Sequence, residues 1–198
     1  MPVVYLVRHA ACRSLGPWLA GHSPDVHLDA AGEAQAKALG RRFASTPLDA
    51  VYTSPLERAR ETAAWIARGR GMEPRVLEEM EEIRFGEWTG RSFEELEGRA
   101  DWRRFNRFRA TTRAPGGETM AEVQARALRG VERVAAAHAR AVVVSHGDVI
   151  KAALCGHLGL PLDLLERLEI SAGSVSRLRI EPGASRLERL NDTGEEAP

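Results

Sequence analysis

Short apolar runs, spaced by longer stretches that mix apolar and polar residues, set the rhythm of this chain. Residues 3–7 (VVYLV), 49–53 (DAVYT) and 141–145 (AVVVS) are rich in valine and tyrosine, and each is followed by polar residues. Such side chains favour extended backbone, and an apolar run without alternation suits a strand covered on both faces, as inside a parallel sheet. Between the first two runs, Ala34, Ala38, Leu39 and Phe43 recur at helical spacing behind Asp29, which is an N-cap by residue type. After the second, SPLERARETAAWIARGRG predicts a helix with Pro55 near its first turn and Gly69 or Gly71 near its end. A long helix is predicted over 119–139, opened by Thr119 with Glu122 at capping-box spacing, and another begins at Asp148. SVSRLRI and RLERL alternate in the strand manner and predict antiparallel edge strands.

Strands alternating with helices predict an α/β fold: a three-layer αβα sandwich with a mostly parallel central sheet and helices on both faces. Residues from about 80 to 117 break the alternation and read as a small helical cap insertion over the sheet's carboxyl edge, not as a second domain. A single domain over 1–190 is predicted, with 191–198 (NDTGEEAP) as a disordered acidic tail.

Composition narrows the classes of function. Lys plus Arg and Asp plus Glu both number 28, so no global field attracts nucleic acid or an anionic membrane, and any affinity for anions has to be local. RADWRRFNRFRATTR is the basic exception, but Trp102, Phe105 and Phe108 at intervals of three predict an amphipathic helix with aromatics inward and arginines wet. That reading is preferred to a base-stacking platform. Cys12 and Cys155 make neither a disulfide framework nor a CxxC pair. With no charged leader and no apolar run of membrane length, a soluble cytoplasmic protein is predicted. His22 and His27 lack the spacing of zinc ligands, so no metal and no cofactor are predicted.

The predicted strands end in chemistry. The first ends in Arg8-His9, the third in SHGDV with His146 and Gly147 at the turn, and the second leads into a helix whose first turns carry Arg58 and Arg60. Neighbouring strands would gather these groups at one carboxyl edge, where ligands bind in open α/β sheets. Gly147 allows a tight turn, and the N–H groups of the helix after it favour an anion. Guanidiniums that grip phosphate oxygens, beside an imidazole whose second nitrogen is tied to a carbonyl, suit phosphoryl transfer. A leaving alkoxide needs a proton, for which Glu81, Glu82 and Glu87 are the candidates.

Five blocks, LVRHA, VYTSPLERARETA, MEEIRFGEWTG, PGGET and VVVSHGDVI, resemble in order the motifs of the histidine phosphatase superfamily, the phosphoglycerate mutase-like proteins. The resemblance implies the αβα sandwich with its site at the carboxyl edge, without a metal. It implies His9 as nucleophile and Glu82 as proton donor, with Arg8, Arg58 and His146 on the phosphoryl group, Gly147 beside them and Glu118 lining the pocket. Ala10, Ala11 and Cys12 depart from the family's usual Gly-Glu-Thr, Leu15 stands where many members have asparagine, and Gly21 where many have glutamine. Ser14 and His22 are the candidates to compensate as substrate contacts. The function implied is a metal-independent phosphatase of small-molecule phosphomonoesters, acting through a phosphohistidine. A mutase-type transfer is the alternative, disfavoured by the short chain and the lost contact residues. A catalytically inactive binding protein ranks lower, because His9, Arg58, Glu82 and His146 are all present. The small phosphomonoester is the one partner implied, with no nucleic acid and no membrane; monomer and homodimer are both compatible with the sequence.

Overall fold

The computed structural model describes residues 1–13, 17–181 and 183–194. Its strands are β1 (Val3–Arg8), β2 (Ala50–Thr53), β3 (Arg75–Val76), β4 (Arg140–Ser145), β5 (Val175–Arg179) and β6 (Arg186–Asp192), in sheet order β3-β2-β4-β1-β5-β6. The four from β3 to β1 are mutually parallel, and β5 runs antiparallel to both β1 and β6. The helices are α1 (Ala30–Phe43), α2 (Glu57–Ala67), α3 (Phe93–Glu97), α4 (Ala100–Arg107), α5 (Met120–Ala137) and α6 (Gly147–Leu158). No helix among the described residues is long and apolar enough to cross a membrane.

Alternate side chains of the central strands feed two cores. Val4 and Leu6 of β1 and Ala141 and Val143 of β4 face α5 and α6, while Val7, Val142 and Val144 face α1 and α2. The αβα layering is therefore written in the period-two geometry of strands that are apolar on both faces. The expected caps are present: Asp29 Oδ1 accepts the Gly32 N–H at 2.8 Å, and Thr119 and Glu122 form a reciprocal capping box on α5.

Three details differ from the sequence expectations. β3 is too short, at two exposed residues, to leave a hydrophobic signature. Asn191 and Asp192 belong to β6 rather than to a tail, because Asn191 Oδ1 accepts the Ser171 N–H at 2.6 Å and Asp192 pairs with Arg42 at 2.5 Å; residues 195–198 lie outside the described residues. In the basic segment Trp102 and Phe105 pack inward against Trp88, but Phe108 is 47% exposed and Arg109 only 6%. The helix ends at Arg107, so the interval of three no longer selects one face there. Within 80–117, Met80, Ile83, Phe85, Trp88, Leu96, Phe105 and Ala114 join the core under α5 and α6, so this stretch has no core of its own.

The loop after β1 is fixed from two sides. Ala10 N–H donates to Thr62 Oγ1 of α2 at 3.0 Å, and Ala11 N–H donates to Gln35 Oε1 of α1 at 2.9 Å. The start of α1 presses so close that a Cβ on Gly32 would lie 1.8 Å from the Ala11 carbonyl oxygen, a contact with backbone that no rotamer relieves. Gly32→Ala is accordingly expected to destabilise the protein by about 3 kcal/mol, as overpacking against rigid backbone does. Urea unfolding checks this; an unchanged midpoint would show that the loop yields.

Candidate active site

β2, β4 and β1 are adjacent in the sheet, so their carboxyl ends deliver Ser54, His146 and the Arg8-His9 pair to one place. Register is held past the strand ends: His9 N–H donates to the Ser145 carbonyl at 2.9 Å, and Ser54 N–H donates to that of Val144 at 2.8 Å. α2 follows β2 directly and carries Arg58 inward, with 1% of its surface exposed. Arg60 points outward and is exposed.

His9 is buried, and its ring lies 5.2 Å from that of His146 between centroids. Its Nδ1 sits 2.8 Å from the Ala10 carbonyl, so Nδ1 carries the proton and Nε2 the lone pair. Burial, reinforced by Arg58 and Arg8, holds its pKa down to about 3 against the pull of that carbonyl, and the ring is neutral at neutral pH. His146 is held well below its ordinary value by burial first, then by Arg58 and His9. Its Nδ1 accepts from Arg58 Nη2 at 3.3 Å while its Nε2–H donates to Ser54 Oγ at 2.8 Å.

Of the three candidate carboxylates, only Glu82 reaches the cluster. Its Oε2 is 3.8 Å from Arg58 Nη2 and 3.5 Å from His146 Nδ1. Burial raises its pKa; Arg58 and the Ile83 N–H pull the other way and lose. Glu81 turns to Arg84 at 2.6 Å, and Glu87 is exposed. Arg8 donates from Nη1 to the Ile170 carbonyl at 2.6 Å and packs over Gly147, where a Cβ would meet its guanidinium at 3.4 Å. Two buried donors of the cluster, Arg8 Nε and Arg58 Nη1, have no hydrogen-bond partner among the described residues. Unsatisfied guanidinium N–H groups are costly, and an anion between the two arginines would satisfy them.

A cavity of about 530 Å³ opens here, lined by Arg8, Glu82 and Gly147, by the apolar Leu19 and Phe85, and by a charged wall. That wall is cross-linked: Arg109 donates to Asp148 at 2.9 Å and to Glu166 at 2.6 Å, and Lys151 donates to Glu166 at 2.7 Å. A larger groove of about 900 Å³ lies elsewhere, beside His157 and Glu132, but holds none of the clustered groups. Among the described residues, no three His, Cys, Asp or Glu side chains are grouped to hold a metal ion.

The remaining sequence candidates separate. His22 Nε2 donates to the Glu82 carbonyl at 2.8 Å instead of lining the cavity. Glu118 does not line it either; its carboxylate is bound by Arg126 Nε and Nη2, both at 3.0 Å. Ser14 and Leu15 lie outside the described residues. Ala10 is wholly buried, which accounts for a small side chain there. Gly21 contributes backbone: its carbonyl accepts from Arg58 Nη2 at 3.0 Å, and its φ of +48° suits glycine. Sequence reasoning missed Ser54, the Arg109 wall and Arg126. For Arg126 a signal existed, since it falls three residues after Val123 and four before Gly130, inside the buried stripe of α5.

Comparison with known proteins agrees with this geometry. The model of the histidine phosphatase superfamily (branch 1) matches residues 4–193. The chain is 31% identical to phosphoserine phosphatase 1 of Hydrogenobacter thermophilus over 199 residues, covering 98% of this chain and 93% of that protein. It is 28% identical to the adenosylcobalamin/alpha-ribazole phosphatase of Salmonella typhimurium, covering 95% of each. Among solved structures, Bacillus stearothermophilus YhfR superposes with a TM-score of 0.90 at 27% identity, covering 97% of this chain and 98% of that one. The chain therefore belongs to the histidine phosphatase superfamily, branch 1.

Proposed function

We propose that the protein is a phosphoric monoester hydrolase that transfers the phosphoryl group of a small substrate to His9 and then to water. The observation that carries this reading is the His9 tautomer: Nδ1–H is tied to the Ala10 carbonyl, so a neutral Nε2 lone pair stands beside two arginines with unpartnered N–H groups. In the first step Nε2 bonds to phosphorus as the bond from phosphorus to the ester oxygen breaks. Glu82, whose pKa is raised by burial, gives its proton in the acid form to the departing alkoxide. In the second step the Glu82 carboxylate takes a proton from water, whose oxygen bonds to phosphorus as the P–N bond breaks, and both groups return to their starting states. Arg8, Arg58 and the N–H of Gly147 at the start of α6 hold the phosphoryl oxygens, and His146 orients the Arg58 guanidinium through its Nδ1.

Substrate class follows from the cavity and the relatives together. A volume of about 530 Å³, apolar on one side and charged on the other, suits a phosphomonoester with a small polar body. Phosphoserine, named for one relative, fits that description. The proposed location is the cytoplasm, since two cysteines make no disulfide framework. No residue of the mechanism calls for a metal.

Phosphate release from a panel of monoesters, run in chelator with 3-phosphoglycerate included, tests the whole reading. His9→Ala is expected to abolish the covalent intermediate and lower turnover by roughly 10,000-fold. Release that stops in chelator would overturn metal independence, and isomerisation of 3-phosphoglycerate without release would make the protein a mutase. Arg58→Lys is expected to lose about 100-fold, because a point charge does not reproduce the guanidinium fork.

The pH profile tests Glu82 separately. Donation needs the protonated acid, and a raised pKa extends that form to higher pH than an ordinary glutamate allows. Turnover of an alkyl phosphate is therefore expected to fall as pH rises through that value. On the acid side His9 stays unprotonated down to about pH 3. Glu82→Gln is expected to remove the alkaline fall and to cost about 100-fold on an alkyl phosphate, but only a few-fold on p-nitrophenyl phosphate, whose leaving group needs no proton. Equal losses on both would sink the donor assignment.

A further inference from the structure

The segment that carries Glu82 follows a single 3-10 turn, Glu78–Met80, and pairs with no strand among the described residues. Its backbone is held by side chains instead. Four consecutive carbonyls each receive a hydrogen bond from another element: Glu79 from Arg126 Nη1 at 2.9 Å, Met80 from Ser145 Oγ at 2.7 Å, and Glu81 from Arg126 Nη1 at 2.8 Å. The fourth, on Glu82 itself, receives Arg126 Nη2 at 3.1 Å and His22 Nε2 at 2.8 Å.

Arg126 spends every N–H this way. Three go to the carbonyls, and Nε and Nη2 form a fork on Glu118 at 3.0 Å each. Glu118 Oε2 also accepts the Arg84 N–H at 3.0 Å, so the pair grips the chain both at Glu82 and two residues beyond it. Arg126 is 8% exposed, and neither member of the pair lines the cavity. A buried ion pair is a weak device for stability, because well-packed apolar side chains would serve as well. Its geometry here is specific to one peptide: a planar fork with five fixed donors sets the direction of three carbonyls, and hence the direction in which the Glu82 side chain leaves the backbone.

We propose that Arg126 and Glu118 are positioning residues that hold the Glu82 carboxyl at the reacting bond, a role that rests on reading Glu82 as the proton donor. They touch neither substrate nor phosphoryl group. Their effect passes through the peptide of Glu82, which keeps the carboxyl between Arg58 and His146, and a displacement of the order of 1 Å costs about 100-fold in a proton transfer.

The test is Arg126→Lys in the full chain, which keeps the charge and loses the fork. Expected is a fall of about 30-fold or more in kcat for an alkyl phosphate and less than about 3-fold for p-nitrophenyl phosphate, with KM within about 2-fold for both. In a Glu82→Gln background the same substitution is expected to add less than about 2-fold on either substrate, because residues acting as a unit are not additive. Equal losses on the two substrates, or an undiminished loss in the Glu82→Gln background, would overturn the positioning role in favour of a general structural one. Should Arg126→Lys fail to fold, Glu118→Gln carries the same expectations at about 10-fold. The Glu82→Gln single variant separates the two levels. A leaving-group-selective loss there, without one in Arg126→Lys, overturns the positioning role alone, and no selective loss there overturns both.

Discussion

Two imidazoles and a guanidinium share one strand edge, and they can do so only while the imidazoles carry no charge. With ring centroids 5.2 Å apart, two protonated histidines would repel by about 3 kcal/mol at an effective dielectric near 20, before Arg58 is counted. Burial adds to that penalty, and both rings are neutral as a result. Neutrality forces a choice of tautomer, and the strand ends make it. His9 Nδ1–H donates to the Ala10 carbonyl, and His146 Nε2–H donates to Ser54 Oγ, which leaves His146 Nδ1 to accept from Arg58. Each of these partners is fixed by sheet register or by the first turn of a helix, so the protonation pattern follows from the fold.

The same logic reaches the residues that touch nothing reactive. Ala10 and Ala11 look like losses when the sequence is set beside the family pattern, yet their N–H groups are anchored by Thr62 and Gln35. That anchoring holds the Ala10 carbonyl where it receives the His9 proton. Gly21 likewise lacks a side chain but places its carbonyl on Arg58. At these three positions orientation is carried by backbone.

Strands, most helices and the clustered residues were legible because local rules and global fold agree. Runs such as VVYLV have no other sensible use than a two-faced strand, and Asp29 and Thr119 mark helix starts by chemistry that needs no tertiary context. β3 was invisible because two residues held by one neighbouring strand leave no pattern. Glu118 was misplaced for a different reason. The motif sets it near the site but does not say which way its carboxylate turns, and that direction depends on Arg126, eight residues on and nearly two turns into the helix. An arginine among buried positions was the clue, but periodicity alone does not name its partner. The charged wall was illegible because it joins residues 109, 148, 151 and 166, which no motif spans.

Charge then bears on what the site accepts. With both histidines neutral, Arg8 and Arg58 are the positive charges at the phosphoryl end. Asp148 and Glu166 do not cancel them, because Arg109 and Lys151 already neutralise those carboxylates. Two guanidiniums suit the dianion of a phosphomonoester. Glu82 Oε2 lies 3.8 Å from Arg58 Nη2, so a carboxylate at this position has a counter-ion already in place. Glu82 thus stands between two opposing influences: burial that favours its acid form, and an arginine near enough to receive its carboxylate.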